Sequence, residues 1–245
     1  MYPEAELPPL PRRVLPFERV SAALECILCS GFPSQIALII ILTGFGLSMQ
    51  AAGGGLNPRF LFTLALLDAV VVVGLTVFFL KAHGESVREV LIGQRAVLRE
   101  VLVGIAIVPL VFGIVIVVLA VVLTYAPWLH NVPRNPLEDM LGSRLDAAIF
   151  AVVVMIAGGV REEVQRGFII HRFGQYLGGG GTGVVIHSVL FGLGHYEQGY
   201  DAAMATGLLG LFWGVIYLRR GSIVAPVVSH AAFNLAQVLK FLALR

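Results

Sequence analysis

Glu162 and Glu163 stand side by side in a stretch that otherwise reads as the interior of a membrane helix. The apolar run from Ala147 to Ala157 leads through Gly158-Gly159-Val160 into Arg161-Glu162-Glu163-Val164-Gln165-Arg166, and Phe168-Ile169-Ile170 resumes the apolar character. A charge at the centre of a membrane helix costs about 2.5–3.5 kcal/mol even on insertion scales. Four charges in so short a segment therefore require a protein interior or a wet cavity, and partners within it. On a regular helix Arg166 lies three residues from Glu163 and four from Glu162, so either carboxylate can meet the guanidinium. Adjacent residues point about 100° apart, so the two carboxylates cannot make the same contacts. One can pair with arginine while the other faces a cavity as a base. Burial raises such a carboxyl pKa and a nearby arginine lowers it, so the balance can be set near working pH.

Three further polar residues lie on apolar segments downstream: His195, His230 and Asn234. Phe191 is one helical turn before His195 and can pack beside its imidazole. His187 lies about 80° around the same helix and is expected to make a structural hydrogen bond. His230 and Asn234 are one turn apart on one face. A neutral imidazole and an amide can donate to a developing oxyanion, or can simply clamp two helices together. Asp68, alone among apolar neighbours, is expected to bond to a neighbour on its own helix. A carboxylate pair, two histidines and an amide, taken together, suggest a buried hydrolytic site. The expected mechanism uses no metal. Zinc held by Glu162, His195 and His230, with one open position, is the alternative; there is no His-Glu-x-x-His, so such ligands would converge from separate helices.

The elements that must position these residues are membrane helices. The chain of 245 residues is 58% hydrophobic and only 13% charged, with a mean hydropathy of +0.88. Soluble domains are about a quarter charged, so this composition points to an integral membrane protein. A net charge of +2 is too small to suggest nucleic-acid binding. The expected fold is all-α, a polytopic bundle of about seven spanning helices. Their ranges are 34–49, 60–80, 101–125, 147–170, 183–194, 202–218 and 223–244. Short interfacial amphipathic helices are expected at 18–29 and 87–100. Residues 127–135 read as a loop outside the membrane, and 178–181 as a flexible break. Residues 1–33 form an N-terminal cytoplasmic segment, 34–146 accessory helices and 147–245 the catalytic core. Cys26 and Cys29 are expected to pack as small apolar residues. Gly207, Gly210 and Gly214 allow close helix contact. Alternating the spans places Arg12, Arg13, Arg19, Lys81, Arg88, Arg95, Arg99, Arg172, Arg219 and Arg220 on the inner side. The outer side receives Arg59, Arg134, Arg144, Lys240 and Arg245, so the N-terminus is expected to be cytoplasmic, in a bacterial plasma membrane.

With these motifs in order, the region from Ala147 to about Gln237 resembles the CPBP family of intramembrane proteases. That family includes CAAX prenyl endopeptidases and bacterial abortive-infection or bacteriocin-immunity proteins. The resemblance is carried by Glu162-Glu163 with Arg166, by Phe191-x-x-x-His195, by His230-x-x-x-Asn234, and by the preceding Gly221 to Pro226. Two residues separate the glutamates from Arg166, where the family usually has three. The resemblance implies peptide-bond hydrolysis in the membrane. Glu162 would activate water, His195 would orient it, His230 and Asn234 would stabilise the oxyanion, and Glu163 with Arg166 would balance charge. Implied partners are a peptide or protein substrate, for which a prenylated C-terminus is one option, and the lipid bilayer. Two other readings compete: a non-enzymatic membrane immunity or binding protein with a structural polar centre, and a proton-coupled transporter using Glu162, Glu163 and Asp68. The transporter reading lacks an internal repeat.

Overall fold

The computed structural model describes residues 14–51, 53–133, 135–137 and 143–243. Arg12, Arg13, Arg134 and Arg245, used above to orient the chain, lie outside them, as does most of the N-terminal segment. The described chain is helical without strands, apart from one isolated bridge between Gln50 and Leu56. Its helices are α1 (Pro16–Leu28), α2 (Phe32–Gly44), α3 (Pro58–Ala82), α4 (Val97–Tyr125), α5 (Arg144–Val154), α6 (Glu162–Tyr176), α7 (Gly180–Leu193), α8 (Tyr200–Arg220) and α9 (Val224–Ala243).

By length and composition three of the described segments can cross a membrane: α3, Arg88–Tyr125 containing α4, and α8. A fourth is available if α1 and α2, bent by 44° at their junction, act as one span. The count is thus three to four, against the seven expected. The difference has a physical cause. The α5–α6 region carries the charged cluster, and α7 is a short apolar helix of 14 residues. The expected amphipathic helix over 87–100 is also broken. A wide π-type turn, Arg88–Ile92, ends at Gly93 with φ 74°, and α4 starts afresh at Val97. Gly93 has no room for a side chain, since a Cβ there would lie 2.1 Å from the Gly221 carbonyl oxygen.

Close packing of α7 on α8 follows from the glycines of α8. A Cβ at Gly210 would lie 3.1 Å from Phe191 and one at Gly214 would lie 3.0 Å from Val184, so their bare backbone lets α7 approach. Cys26 and Cys29 are both buried in an apolar cluster with Leu80, Phe168 and Ile170.

The feature that governs the site lies between α5 and α6. Ser143 caps α5 by accepting from the Asp146 amide, and Asp146 accepts from the Ser143 amide in return. The helix then widens into π geometry over Met155–Arg161 and returns to α geometry at Glu162. Such π segments free backbone carbonyls and shift the face that later side chains present. Here the shift falls directly before the two glutamates.

Candidate functional site

The π segment crosses α9 at two glycines. A Cβ at Gly159 would lie 2.7 Å from that of Ala231, and a Cβ at Gly158 would lie 2.3 Å from the Asn234 amide nitrogen. The bare backbone of Gly158-Gly159 therefore lets α9 bring His230 and Asn234 against the start of α6. Asn234 Nδ2 donates a long hydrogen bond, 3.4 Å, to the Val154 carbonyl at the end of α5.

The two glutamates divide. Glu163 is buried, with a side chain 1% exposed. It accepts from Arg166 Nη1 and, at 2.8 Å, from His230 Nδ1. Glu162 is 19% exposed, and its Oε2 lies 3.7 Å from His230 Nε2. That separation exceeds a direct hydrogen bond and matches a gap that a shared small molecule can bridge. Arg166 is 1% exposed. Its guanidinium carbon lies 4.7 Å from the Phe191 ring centroid and 5.5 Å from that of Trp213. The aromatic faces receive the cation where its Nε and Nη2 lack hydrogen-bond partners among the described residues.

Arg161 points elsewhere. Its Nη2 lies 2.6 Å from Asp68 Oδ2, and Asp68 also accepts from Ser34 Oγ at 2.5 Å. Asp68 therefore joins α2 and α3 to the π segment, a correction to the local bond expected of it. The bend between α1 and α2 makes room for this pair: Gly31, φ 83°, lies so near that a Cβ would sit 1.8 Å from Arg161 Nη2.

His195 lies in the turn after α7, where its Nδ1 donates to the Phe191 carbonyl at 2.8 Å. His195 and His230 flank the Phe191 ring, with centroids 4.9 and 6.3 Å from it. Glu162, His195, His230 and Asn234 all line one cavity of about 820 Å³, together with Phe191 and Trp213. Glu163 and Arg166 are not on its lining but sit behind it. His187 is buried and stacks on Phe191 with centroids 5.9 Å apart. Its Nδ1 has no partner among the described residues, so the expected hydrogen bond from that nitrogen is not made.

Hydrogen bonding fixes the histidine tautomers. Nδ1 of His195 faces a carbonyl and Nδ1 of His230 faces a carboxylate held beside arginine, so in each neutral ring Nδ1 carries the proton. Each Nε2 is then a lone-pair acceptor. With Nδ1 protonated, neutral His230 presents an acceptor at Nε2, so the oxyanion-donor role expected of it from the sequence requires an added proton there.

Trp213 is a residue that sequence reasoning did not single out. Its ring stacks on His230 with centroids 3.9 Å apart and planes at 17°, and its Nε1 donates to Ser229 Oγ at 3.0 Å. The available signal was an indole N–H on an apolar helix, which needs a partner when buried. Among the described residues no three His, Cys, Asp or Glu side chains form a group able to hold an ion, the set Glu162, His195 and His230 included.

Residues 144–236 match the family model described as Rce1-like, type II CAAX prenyl endopeptidase Rce1-like. The match begins at the first residue of α5 and ends in α9, leaving α1 to α4 outside it. No curated protein and no solved structure matches the chain.

Proposed function

We propose that the protein is an intramembrane endopeptidase of the CAAX-processing type, hydrolysing a peptide bond with water activated by Glu162. The observation that carries this reading is the division of labour between the glutamates. Glu163 is consumed by Arg166 and His230, whereas Glu162 is left beside His230 on the cavity wall. A purely structural clamp would have no use for a carboxylate presented to a cavity without a direct hydrogen-bond partner among the described residues.

The proposed chemistry follows from the tautomers. A water held by Glu162 and His195 gives one proton to Glu162 as its oxygen attacks the scissile carbonyl carbon. His195 Nε2 accepts from the same water and orients it. Asn234 Nδ2, released from its long bond to Val154, donates to the oxyanion. The proton passes from Glu162 to His230 Nε2, and Glu163 stabilises the resulting imidazolium through Nδ1. His230 then donates to the departing nitrogen as the C–N bond breaks, yielding an acid and an amine. Arg166 keeps Glu163 ionised throughout.

The test is proteolysis of a peptide library by purified protein in detergent, with Glu162→Gln as control. Cleavage that disappears in the control supports the reading; no cleavage of any peptide, prenylated ones included, contradicts it. The reading uses no metal. Dialysed protein is expected to carry substoichiometric zinc and to keep its activity in strong chelators. One zinc per chain, lost together with activity, would replace this mechanism with a metal-assisted one.

A further inference from the structure

Where the start of α4 meets the end of α8, the molecule carries more positive charge than it pairs. Arg220 grips the buried Glu100 carboxylate through two hydrogen bonds. The charges of Arg95 and Arg99 reach the same carboxylate, so one anion faces three guanidiniums. Arg95 Nε donates to the Arg220 carbonyl at 3.0 Å, which leaves its Nη groups without a hydrogen bond to a described residue. Arg99 is exposed and makes no ion pair with a described residue. Glu85 and Glu89, between α3 and α4, line a separate recess with His171 and Gln175. The loop that presents Arg95 is held in place: Gly93 packs against the Gly221 carbonyl, and the Ile223 amide donates to the Leu91 carbonyl at 2.8 Å. Next to these arginines α4 turns an apolar face outward. Leu98, Leu102, Ile105 and Pro109 recur about once per turn and are exposed, Leu98 by 71%. Arg99 is three residues before Leu102 and shares that face. The opposite face packs inward, where a Cβ at Gly104 would lie 2.6 Å from Val228 of α9.

We propose that this corner binds an anionic phospholipid, with the headgroup phosphate on Arg95 and Arg99 and an acyl chain along the stripe from Leu98 to Pro109. The stripe belongs to a segment long and apolar enough to cross a membrane, so its outward face meets acyl chains. Two unpaired guanidiniums stand where that stripe ends, at the level of the headgroups. Guanidinium forks match phosphate oxygens in shape as well as charge. Basic residues at this level favour anionic over zwitterionic lipid, because the ammonium of a zwitterionic headgroup cancels the attraction. A free phosphate would use the arginines and leave the apolar stripe unused, so the two features together select a lipid. The inference does not rest on the protease reading, since none of these residues lines the cavity that holds Glu162.

Lipid retention tests the site. The delipidated full chain in zwitterionic detergent is mixed with equal amounts of dioleoylphosphatidylglycerol and dioleoylphosphatidylcholine, and bound lipid is counted by native mass spectrometry. Wild-type protein is expected to retain the glycerol lipid over the choline lipid by about tenfold at low salt, a preference that shrinks as salt rises. R95Q combined with R99Q abolishes the preference, and R95K combined with R99K retains it. R59Q combined with R144Q removes the same charge from exposed positions at the starts of α3 and α5 and keeps the wild-type preference. R99Q alone, which breaks no contact with a described residue, weakens the preference at unchanged thermal unfolding, so a folding defect cannot pass for lost binding. No preference in wild type, a preference that survives R95Q with R99Q, or an equal loss in R59Q with R144Q overturns the site. Inorganic phosphate and glycerophosphoglycerol, which lack acyl chains, are expected to leave the bound lipid in place even in large excess. Displacement by either would make this a free-phosphate site and overturn the lipid assignment.

Discussion

At the residue scale, two neighbouring glutamates have opposite environments, and this separates their expected mutational effects. Glu163 compensates the charge of Arg166 and holds the Nδ1 proton of His230, all three being buried. Removing one partner of such a buried pair leaves an uncompensated charge, which costs about 3–5 kcal/mol. Glu163→Gln is therefore expected to lower unfolding stability by that amount in detergent and to lower activity through loss of His230 orientation. Glu162→Gln removes no buried pair and is expected to change stability by less than about 0.5 kcal/mol. Denaturant unfolding of the two variants side by side checks this. Equal destabilisation would mean that both carboxylates are structural. The residue types were legible in the sequence: Glu162, His195, His230 and Asn234 do share one cavity. Their protonation was not, because a tautomer depends on what lies behind each ring, and Glu163 and the Phe191 carbonyl reach their histidines only in the fold.

At the scale of elements, the π segment Met155–Arg161 and its two glycines set the distance between α6 and α9. The pair separates positioning from stability. A methyl at Gly158 meets the far end of the Asn234 side chain, which can swing away, whereas one at Gly159 meets the Ala231 Cβ and backbone. Gly158→Ala is expected to leave unfolding within about 1 kcal/mol of wild type, since alanine also favours the helix. Turnover should fall about tenfold as Asn234 is displaced from the oxyanion. Gly159→Ala is expected to destabilise by about 1–3 kcal/mol through overpacking. Unfolding curves and turnover measured on both variants check the contrast; unchanged turnover in Gly158→Ala would remove Asn234 from the mechanism. Several helices were readable from apolar runs to within a few residues, as for α3, expected over 60–80 and found at Pro58–Ala82, whereas the single span expected over 147–170 is α5, the π segment and α6. The π turn was not readable, because its wider hydrogen bonding leaves no side-chain period. The role of Asp68 escaped for a related reason: Arg161 and Ser34 are distant in sequence and meet it only after α2, α3 and the π segment pack together.

At the scale of the molecule, buried ion pairs join the helices outside the family match to those within it. Arg172 of α6, 0% exposed, donates to Glu25 of α1 and to Glu85 beyond α3, each at 2.6 Å. Arg220 at the end of α8 grips Glu100 of α4 through two bonds of 2.6 and 2.7 Å. Both arginines entered the sequence-based orientation count, and both are occupied internally, so they tie the bundle together. Glu85 is expected to make this end acid-sensitive. Its burial works to raise its pKa, but hydrogen bonds from His171 and Arg172 outweigh burial and hold it below the usual carboxylate range. A carboxyl depressed in the folded state adds stability above its unfolded pKa, about 4.3, and loses it as pH falls through the lower folded value. Thermal unfolding followed from pH 6 downward is therefore expected to fall more steeply in wild type than in Glu85→Gln below about pH 4.3. Parallel curves would show that Glu85 does not carry the acid sensitivity.

The measurement that bears most directly on Glu162 as the base is the rate of peptide hydrolysis by purified Glu162→Gln protein, on a substrate the wild type cleaves. The amide keeps the shape of the carboxylate and removes its capacity to take a proton. A positioned general base contributes about 10²–10⁴-fold, so the account predicts a loss of at least that size in a protein whose unfolding is unchanged. Wild-type turnover in Glu162→Gln, with activity lost instead in Glu163→Gln at intact stability, would contradict it and move the base one residue along the chain.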